Sequence, residues 1–268
     1  MICGALPQGA QNAQSTAKKN NRGDNMDNEK IETLQKFYDD SDNIVFFGGA
    51  GVSTESGIPD FRSVDGLYNQ KWNYPPETIL SRSFFDSNKK EFFRFYREKL
   101  IIPGIKPNKA HNVLAQMEEA GKLKAVITQN IDGLHQMAGS RCVYELHGST
   151  LRNYCMDCYK AFDIDYMNNK KEDYPVCDKC GGIVKPDVVL YEESLNEVCI
   201  NGAVEAISKA HMLIIGGTSL TVYPASGLIR YFRGKYLVLI NKSETQADQY
   251  ATLVIHDSIG ETLSRLKI

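Results

Sequence analysis

Ile44-Val45-Phe46-Phe47-Gly48-Gly49-Ala50-Gly51-Val52-Ser53-Thr54-Glu55-Ser56-Gly57-Ile58-Pro59-Asp60-Phe61-Arg62 is the stretch whose reading decides the fold. Its first four residues are β-branched or aromatic, which suits a strand covered on both faces. The strand runs directly into a glycine-rich turn, where backbone amides can approach a pyrophosphate. A Gly-x-Gly turn alone is explained equally well by the steric needs of a tight bend. The continuation Ser-Gly-Ile-Pro-Asp-Phe-Arg shifts the balance. Proline beside an acid, an aromatic and a cation reads as a loop folding over a ligand, not as a regular helix.

Working outward, apolar runs at 125–128, 143–146, 188–191, 212–217, 236–240 and 252–255 alternate with amphipathic stretches over 88–102, 108–121, 195–209, 223–233 and 258–267. Such alternation predicts an α/β fold: a doubly wound, Rossmann-like parallel sheet. Cys155-x-x-Cys158 and Cys177-x-x-Cys180 fall between two of the strands, so residues 149–185 read as a small inserted zinc-ribbon module, with 26–148 and 186–268 forming the Rossmann-like domain. Paired Cys-x-x-Cys spacing in a reducing compartment points to zinc rather than disulfides. Four thiolates leave no open coordination position, so one structural zinc ion is expected. The module has few apolar residues beyond Tyr154, Tyr159, Phe162 and Tyr166, which makes the metal a folding requirement. Cys3, Cys142 and Cys199 carry no assigned chemistry.

Residues 1–25 are rich in Gln, Asn, Lys, Ser and Gly and predict a disordered tail. Met26 opens a helix-like stretch with Ile31, Leu34 and Phe37 at helical spacing, and is an alternative translation start. The 268 residues carry 31 basic and 33 acidic side chains, a formal charge of −2, which gives no field for nucleic acid or an anionic membrane. The sequence has neither an apolar run of about 18 residues nor a secretory leader, so a cytoplasmic monomer is expected.

GAGVSTESGIPDFR resembles the cofactor-binding signature of the sirtuins, and Thr128-Gln129-Asn130-Ile131-Asp132-Gly133-Leu134-His135 is similar to that family's TQNID-x-LH motif. Glu145-Leu146-His147-Gly148, the cysteine pairs, Gly217-Thr218-Ser219-Leu220 with Val222 and Pro224, and Leu239-Ile240-Asn241 follow in the family's order. The resemblance spans residues 30–268. It implies an NAD-dependent protein lysine deacetylase or deacylase that consumes NAD as co-substrate, releases nicotinamide and passes the acyl group of acyl-lysine proteins or peptides to ADP-ribose. By the same resemblance, Gly49, Ala50, Gly51 and Ser53 line the phosphate and ribose side of the NAD site. Asp60, Phe61 and Arg62 belong to the loop over the cofactor, and Gln129, Gly217 and Thr218 lie beside it. Ser219 would sit near a phosphate, Asn241 on the adenosine ribose and Asp257 at the adenine end. Helix capping is the competing reading for Ser219 and Asp257. Asn130 and Asp132 would hold the nicotinamide ribose and carboxamide, with Ile131 and Phe61 packing the ring; Asp132 as the N-cap of a short helix stays open.

Of His111, His135, His147, His211 and His256, it is His147, after the 143–146 strand and before Gly148, that fits a base at the carboxyl edge of the parallel sheet, where ligands of such folds bind. The resemblance makes it the base that takes a proton from a ribose hydroxyl. His135 is expected to orient neighbours by hydrogen bonding, and the other three to be ordinary helix or strand-edge residues. Lys185 to Glu193 is similar to the family's substrate strand, where the Val189 carbonyl would hold the acyl-lysine amide and Leu190 and Tyr191 would pair with the peptide. Glu192 departs from the family pattern, which has glycine there, and is expected to add negative charge near the groove. Alignment places Phe93 and Tyr96 over the acyl tail, implying an uncharged acyl group, although a one-residue slip substitutes Arg97. Two rivals remain: a mono-ADP-ribosyltransferase or NAD hydrolase on the same scaffold, and a non-enzymatic NAD and zinc interaction module.

Overall fold

A computed structural model describes residues 28–60, 66–69, 71–168 and 172–268. The expectations for residues 1–25, for Met26 and for Phe61 and Arg62 lie outside the described residues. The described strands, in chain order, are β1 (Ile44–Gly48), β2 (Leu123–Thr128), β3 (Val143–Glu145), β4 (Gly148–Cys155), β5 (Ala161–Phe162), β6 (Val184–Val188), β7 (Met212–Gly216), β8 (Tyr236–Ile240) and β9 (Leu253–Ile255). Six of them form the parallel sheet that the alternation predicts, in the order β3-β2-β1-β7-β8-β9. The chain builds outward from β1 to β3, then returns to the centre and builds outward again from β7. That reversal makes the β1–β7 pair the topological switch point, at whose carboxyl ends sheets of this kind bind ligands.

Continuous apolar runs arise because successive strand residues face opposite layers, and both layers are dry. Ile44 and Phe46 join Val126, Met212, Ile214 and Val238 in a core closed by the helix over 28–39, Lys109–Glu119 and Ile259–Leu263. Val45 and Phe47 join Ile127, Leu213, Ile215 and Leu239 beneath Glu197–Lys209 and the turn of 3₁₀ helix Ala225–Tyr231. The stretch expected as a helix over 223–233 is therefore present in shortened, 3₁₀ form.

The run at 188–191 is not a strand of the parallel sheet. β6 ends at Val188 and pairs antiparallel with β4 in a separate sheet of order β5-β4-β6. Its buried residues are Val184, Pro186 and Val188, an alternating pattern that a search for contiguous apolar residues passes over. A third cluster packs Phe85, Phe92, Phe93, Phe95 and Tyr96 against Met167, Val184, Val188, Leu190 and the buried Cys155 and Cys177. The aromatic rings meet edge to face, Phe85 on Phe92 at 5.0 Å and Phe92 on Phe93 at 5.2 Å. The cysteine module thus borrows its core from the helices Arg82–Ser87 and Lys89–Phe95, the latter continuing as a π turn over Tyr96–Leu100. Arg97 stitches the two together: Nε donates to Met167 O at 2.9 Å and Nη1 to Glu172 O at 3.0 Å.

Candidate active site

The glycines after β1 serve a close approach. Gly49 N donates to Gly216 O at 3.3 Å and Gly51 N to Gly217 O at 2.8 Å, so the turns leaving β1 and β7 are laced together. A Cβ on Gly51 would lie 2.8 Å from Gly217 Cα, and one on Gly49 2.8 Å from Thr218 Cβ. Because the amides of Gly49 and Gly51 are spent on this contact, the donors left for a ligand are those of Ala50 and Thr218, which have no acceptor among the described residues. The chain then makes two short 3₁₀ turns, Ala50–Val52 and Thr54–Ser56, instead of a long helix.

Ser53 joins this loop to the end of β2. Its buried hydroxyl donates to Asp132 Oδ2 at 2.7 Å and accepts from Asn130 Nδ2 at 2.9 Å. The other oxygen of Asp132 accepts from Leu134 N at 2.9 Å, so one carboxylate tethers both Ser53 and the first residue of the short helix Leu134–Met137, whose N-cap is Gly133 and not Asp132. Gln129 Nε2 donates to Thr218 Oγ1 at 3.0 Å. Residues from the ends of β1, β2 and β7 are in this way drawn into one polar cluster. Ile131 is anchored behind it, its carbonyl accepting from Thr150 N and Oγ1.

His147 follows β3, half-buried, with Nδ1 2.9 Å from Gln129 O. A carbonyl only accepts, so Nδ1 carries the proton and Nε2 presents a lone pair. No hydrogen-bond partner for Nε2 occurs among the described residues. Burial pushes the imidazole below its ordinary pKa, and the bond to Gln129 partly opposes this. The ring is therefore a neutral, pre-aligned base near pH 7.

Beyond β7, Ser219 Oγ lies 2.9 Å from Thr221 Oγ1 and does not cap the helix Ala225–Tyr231, which begins after Pro224. Asn241 Nδ2 donates to Ser243 O at 2.9 Å. Asp257 is not the N-cap of the last helix: Ser258 holds that position, and Asp257 Oδ1 accepts from Ser258 N at 2.6 Å. Asp60 O accepts from Leu67 N at 2.8 Å.

His135 departs from expectation. It is buried with no partner on either ring nitrogen, and its ring packs edge-on against His111 at 4.7 Å. The short helix points it into the core beneath β1, where no polar group reaches it. His111 Nδ1 accepts from Asn108 N, completing a capping box for Lys109–Glu119. Burial pushes His111 down to about 4, against the pull of Asp132, and His135 down to about 3, helped by His111. Both rings stay neutral when folded, while the unfolded chain protonates them below about pH 6.5. Stability is therefore lost as pH falls from about 6.5 towards 4, by about 2 kcal/mol per ring at pH 5. The melting temperature is expected to drop by about 10 °C between pH 7.5 and pH 5, and by distinctly less in His135→Phe. Equal drops in both proteins would remove the histidine pair as the cause.

The four cysteines come together. Cys155 and Cys180 Sγ lie 3.4 Å apart, Cys158 and Cys177 Sγ 3.7 Å apart, and all four within 4.8 Å of one another. Zinc at about 2.3 Å from each thiolate needs sulfurs separated by about 3.8 Å, so this set fits a tetrahedral zinc ion. Each pair is presented by the same turn: Tyr159 N returns to Cys155 O and Gly181 N to Cys177 O, with Tyr159 and Gly181 both in the left-handed region.

Beyond β6 the backbone is tied to its surroundings at several points. Lys185 Nζ donates to Val188 O at 2.8 Å, Val189 N to His147 O, and Tyr191 N to Leu80 O, while Tyr191 O accepts from Arg82 N. Leu190 bonds to Glu193 through both N and O. The Val189 carbonyl is left without a donor among the described residues. The Glu192 carboxylate is held in place: it accepts from Ser83 N and Ser83 Oγ, both at 2.9 Å. Phe93 and Tyr96 are fully buried, and the guanidinium of Arg97 is held by the carbonyls already described. Sequence reasoning missed Asn108, whose side chain caps its own helix while Nδ2 donates to Val52 O at 2.8 Å and Ser56 Oγ at 3.0 Å. It also missed Arg152, which bridges Glu145 at 2.5 Å and Asp187 at 2.8 Å. The Asn-x-x-His capping pattern could have flagged the first; nothing local signals the second. Among the described residues no helix is long and apolar enough to cross a membrane.

The model of the Sir2 family matches residues 49–224. A Clostridium perfringens protein named NAD-dependent protein deacetylase is 64% identical over 241 residues, covering 89% of this chain and 98% of that one. A Clostridium acetobutylicum protein of the same name is 63% identical over 237 residues, covering 88% and 97%. A solved structure of Sir2 with a p53 peptide and NAD+ matches with a TM-score of 0.78 at 38% identity, covering 88% of this chain and 96% of that one.

Proposed function

The chain belongs to the Sir2 family, and from that premise we infer that it is an NAD-dependent protein deacetylase acting on acetyl-lysine in peptides or proteins. The carrying observation is the state of His147: Nδ1–H fixed on Gln129 O and Nε2 free, at the strand ends that also hold the Ser53–Asn130–Asp132 cluster.

In this reading NAD is a co-substrate lying across the carboxyl ends of β1 and β7. Ala50 and Thr218 amides receive its phosphates, with Ser219 near a phosphate and Asn241 and Asp257 towards adenosine. Asn130 and Asp132 meet the nicotinamide ribose and carboxamide, for which a carboxylate facing an amide N–H is suited. Gly49, Gly51 and Gly217 hold the floor of the site, and Gln129 orients His147. His147 Nε2 takes a proton from a ribose hydroxyl so that the oxygen can attack the acyl carbon. The free Val189 carbonyl accepts from the substrate side-chain amide, and Leu190 and Tyr191 flank it. Bringing both reactants to one edge supplies the proximity contribution. Phe93 and Tyr96 in an apolar cluster favour an uncharged acyl group. Cys155, Cys158, Cys177 and Cys180 hold zinc away from the chemistry. The same reading makes the enzyme a cytoplasmic monomer with no nucleic-acid partner, consistent with its charge of −2.

Incubation with NAD and matched acetylated and unacetylated lysine peptides tests this. Nicotinamide release that requires the acetyl group is expected. Release independent of it would point to ADP-ribosyl transfer or NAD hydrolysis, and none at all to a binding module.

A further inference from the structure

Glu192 occupies a backbone conformation that glycine adopts freely and glutamate does not. Its φ is +76°, one of three non-glycine residues with positive φ among those described. A side chain held there needs compensating contacts, and such strain concentrates where geometry matters for function. Here the compensation is specific. One carboxylate oxygen accepts from Ser83 N and the other from Ser83 Oγ, both at 2.9 Å, at the first turn of the helix Arg82–Ser87, where unpaired amides and the helix dipole favour an anion.

The position of this contact gives it a consequence. Residues 188–193 carry the chain from the small sheet back towards the helix Glu197–Lys209 and include the Val189 carbonyl, which has no donor among the described residues. On the helix side the segment is fixed by Tyr191, bonded to Leu80 and Arg82, by Arg82 to Glu193 at 3.1 Å, and by Glu192 to Ser83. Phe85 of the same helix lies in the aromatic cluster that also contains Leu190. We propose that Glu192 is a positioning residue for the acyl-lysine substrate: its carboxylate latches residues 189–193 to the helix Arg82–Ser87 and so holds the Val189 carbonyl where the substrate amide meets it. This rests on the assignment of Val189 as the substrate acceptor.

Glu192→Gly separates this role from simple stability, because it removes the latch and the strain together. Its melting temperature is expected to stay within about 3 °C of wild type. The KM for an acetyl-lysine peptide should rise about 3–10-fold, the equivalent of losing one net hydrogen bond, with the KM for NAD and kcat within about 2-fold of wild type. Glu192→Ala, which keeps the strain and loses the latch, should show the same KM change with a lower melting temperature. Ser83→Ala, which removes one of the two donors, should fall between Glu192→Gly and wild type. Peptide binding is also measured directly, by anisotropy of a labelled acetyl-lysine peptide. If wild type binds the peptide but does not turn it over, the deacetylase reading fails while the latch is still judged from the dissociation constants. An unchanged peptide KM and dissociation constant in both Glu192 variants, equal changes in the KM for peptide and for NAD, or a wild type that binds no peptide, each overturns the proposal.

Discussion

His147→Ala is expected to lower acetyl-dependent turnover about 10³-fold while leaving the affinities for NAD and peptide within about 2-fold, because a positioned general base contributes on the order of 10²–10⁴ to rate and little to ground-state binding. Among the described residues the only hydrogen bond of the imidazole is Nδ1 to Gln129 O, and the main-chain carbonyl of His147, not its ring, anchors Val189. The loss should therefore appear in kcat without a change in melting temperature. A pH profile gives an independent check. The base works when neutral and its pKa is lowered, so wild-type activity should be flat through pH 7 and fall only below about pH 6.5, as the ring takes up a proton. Single-turnover rates measured from pH 5.5 to 8 read both effects, after correction for acid unfolding. A variant retaining a tenth of wild-type activity, or a profile that rises towards low pH, would falsify the assignment.

Removing zinc should have the largest structural effect. Structural zinc sites contribute about 10–16 kcal/mol to small domains in peptide measurements, comparable with the whole stability of a domain. Cys155 and Cys177 are buried in the same cluster as Phe85, Phe92 and Tyr96, so losing the bridge between the cysteine pairs would open the cluster as well as the metal knuckles. Chelation, or Cys177→Ser, is expected to abolish activity, expose apolar surface to a fluorescent dye and split the melt into two transitions. The parallel sheet should melt last, since its two cores contain none of the four cysteines. Metal analysis should return about one zinc per chain, as four thiolates close one tetrahedral site. Full activity and an unsplit melt after complete removal of the metal would rule out a structural role.

What the sequence made legible was local. The IVFF strand, the glycine turn and the paired cysteines are each decided by neighbours within a few residues, and the parallel order follows from strand-helix alternation. Legibility ended where a distant residue decides. Nothing near Glu192 in the sequence shows that its carboxylate is seated on Ser83, 109 residues earlier in the chain. His135 was expected to hydrogen-bond, but only the packing of Lys109–Glu119 shows that His111 is its neighbour. Val188–Tyr191 resembled a central strand because the period-two pattern of β6 includes a buried proline, which apolar-run counting ignores. Among site residues, the Ser53–Asn130–Asp132 cluster could be named by resemblance, but its internal bonding, in which Asp132 serves two partners, is visible only in three dimensions.

Because the cysteine module and the aromatic helices form two halves of one hydrophobic interior, chimeras between relatives have a defined minimum unit. A graft that exchanges only 148–188 would set a foreign ridge against Phe85, Phe92 and Phe93, leaving gaps or clashes in place of interlocked rings. Transplanting 76–101 and 148–190 together keeps that interior intact.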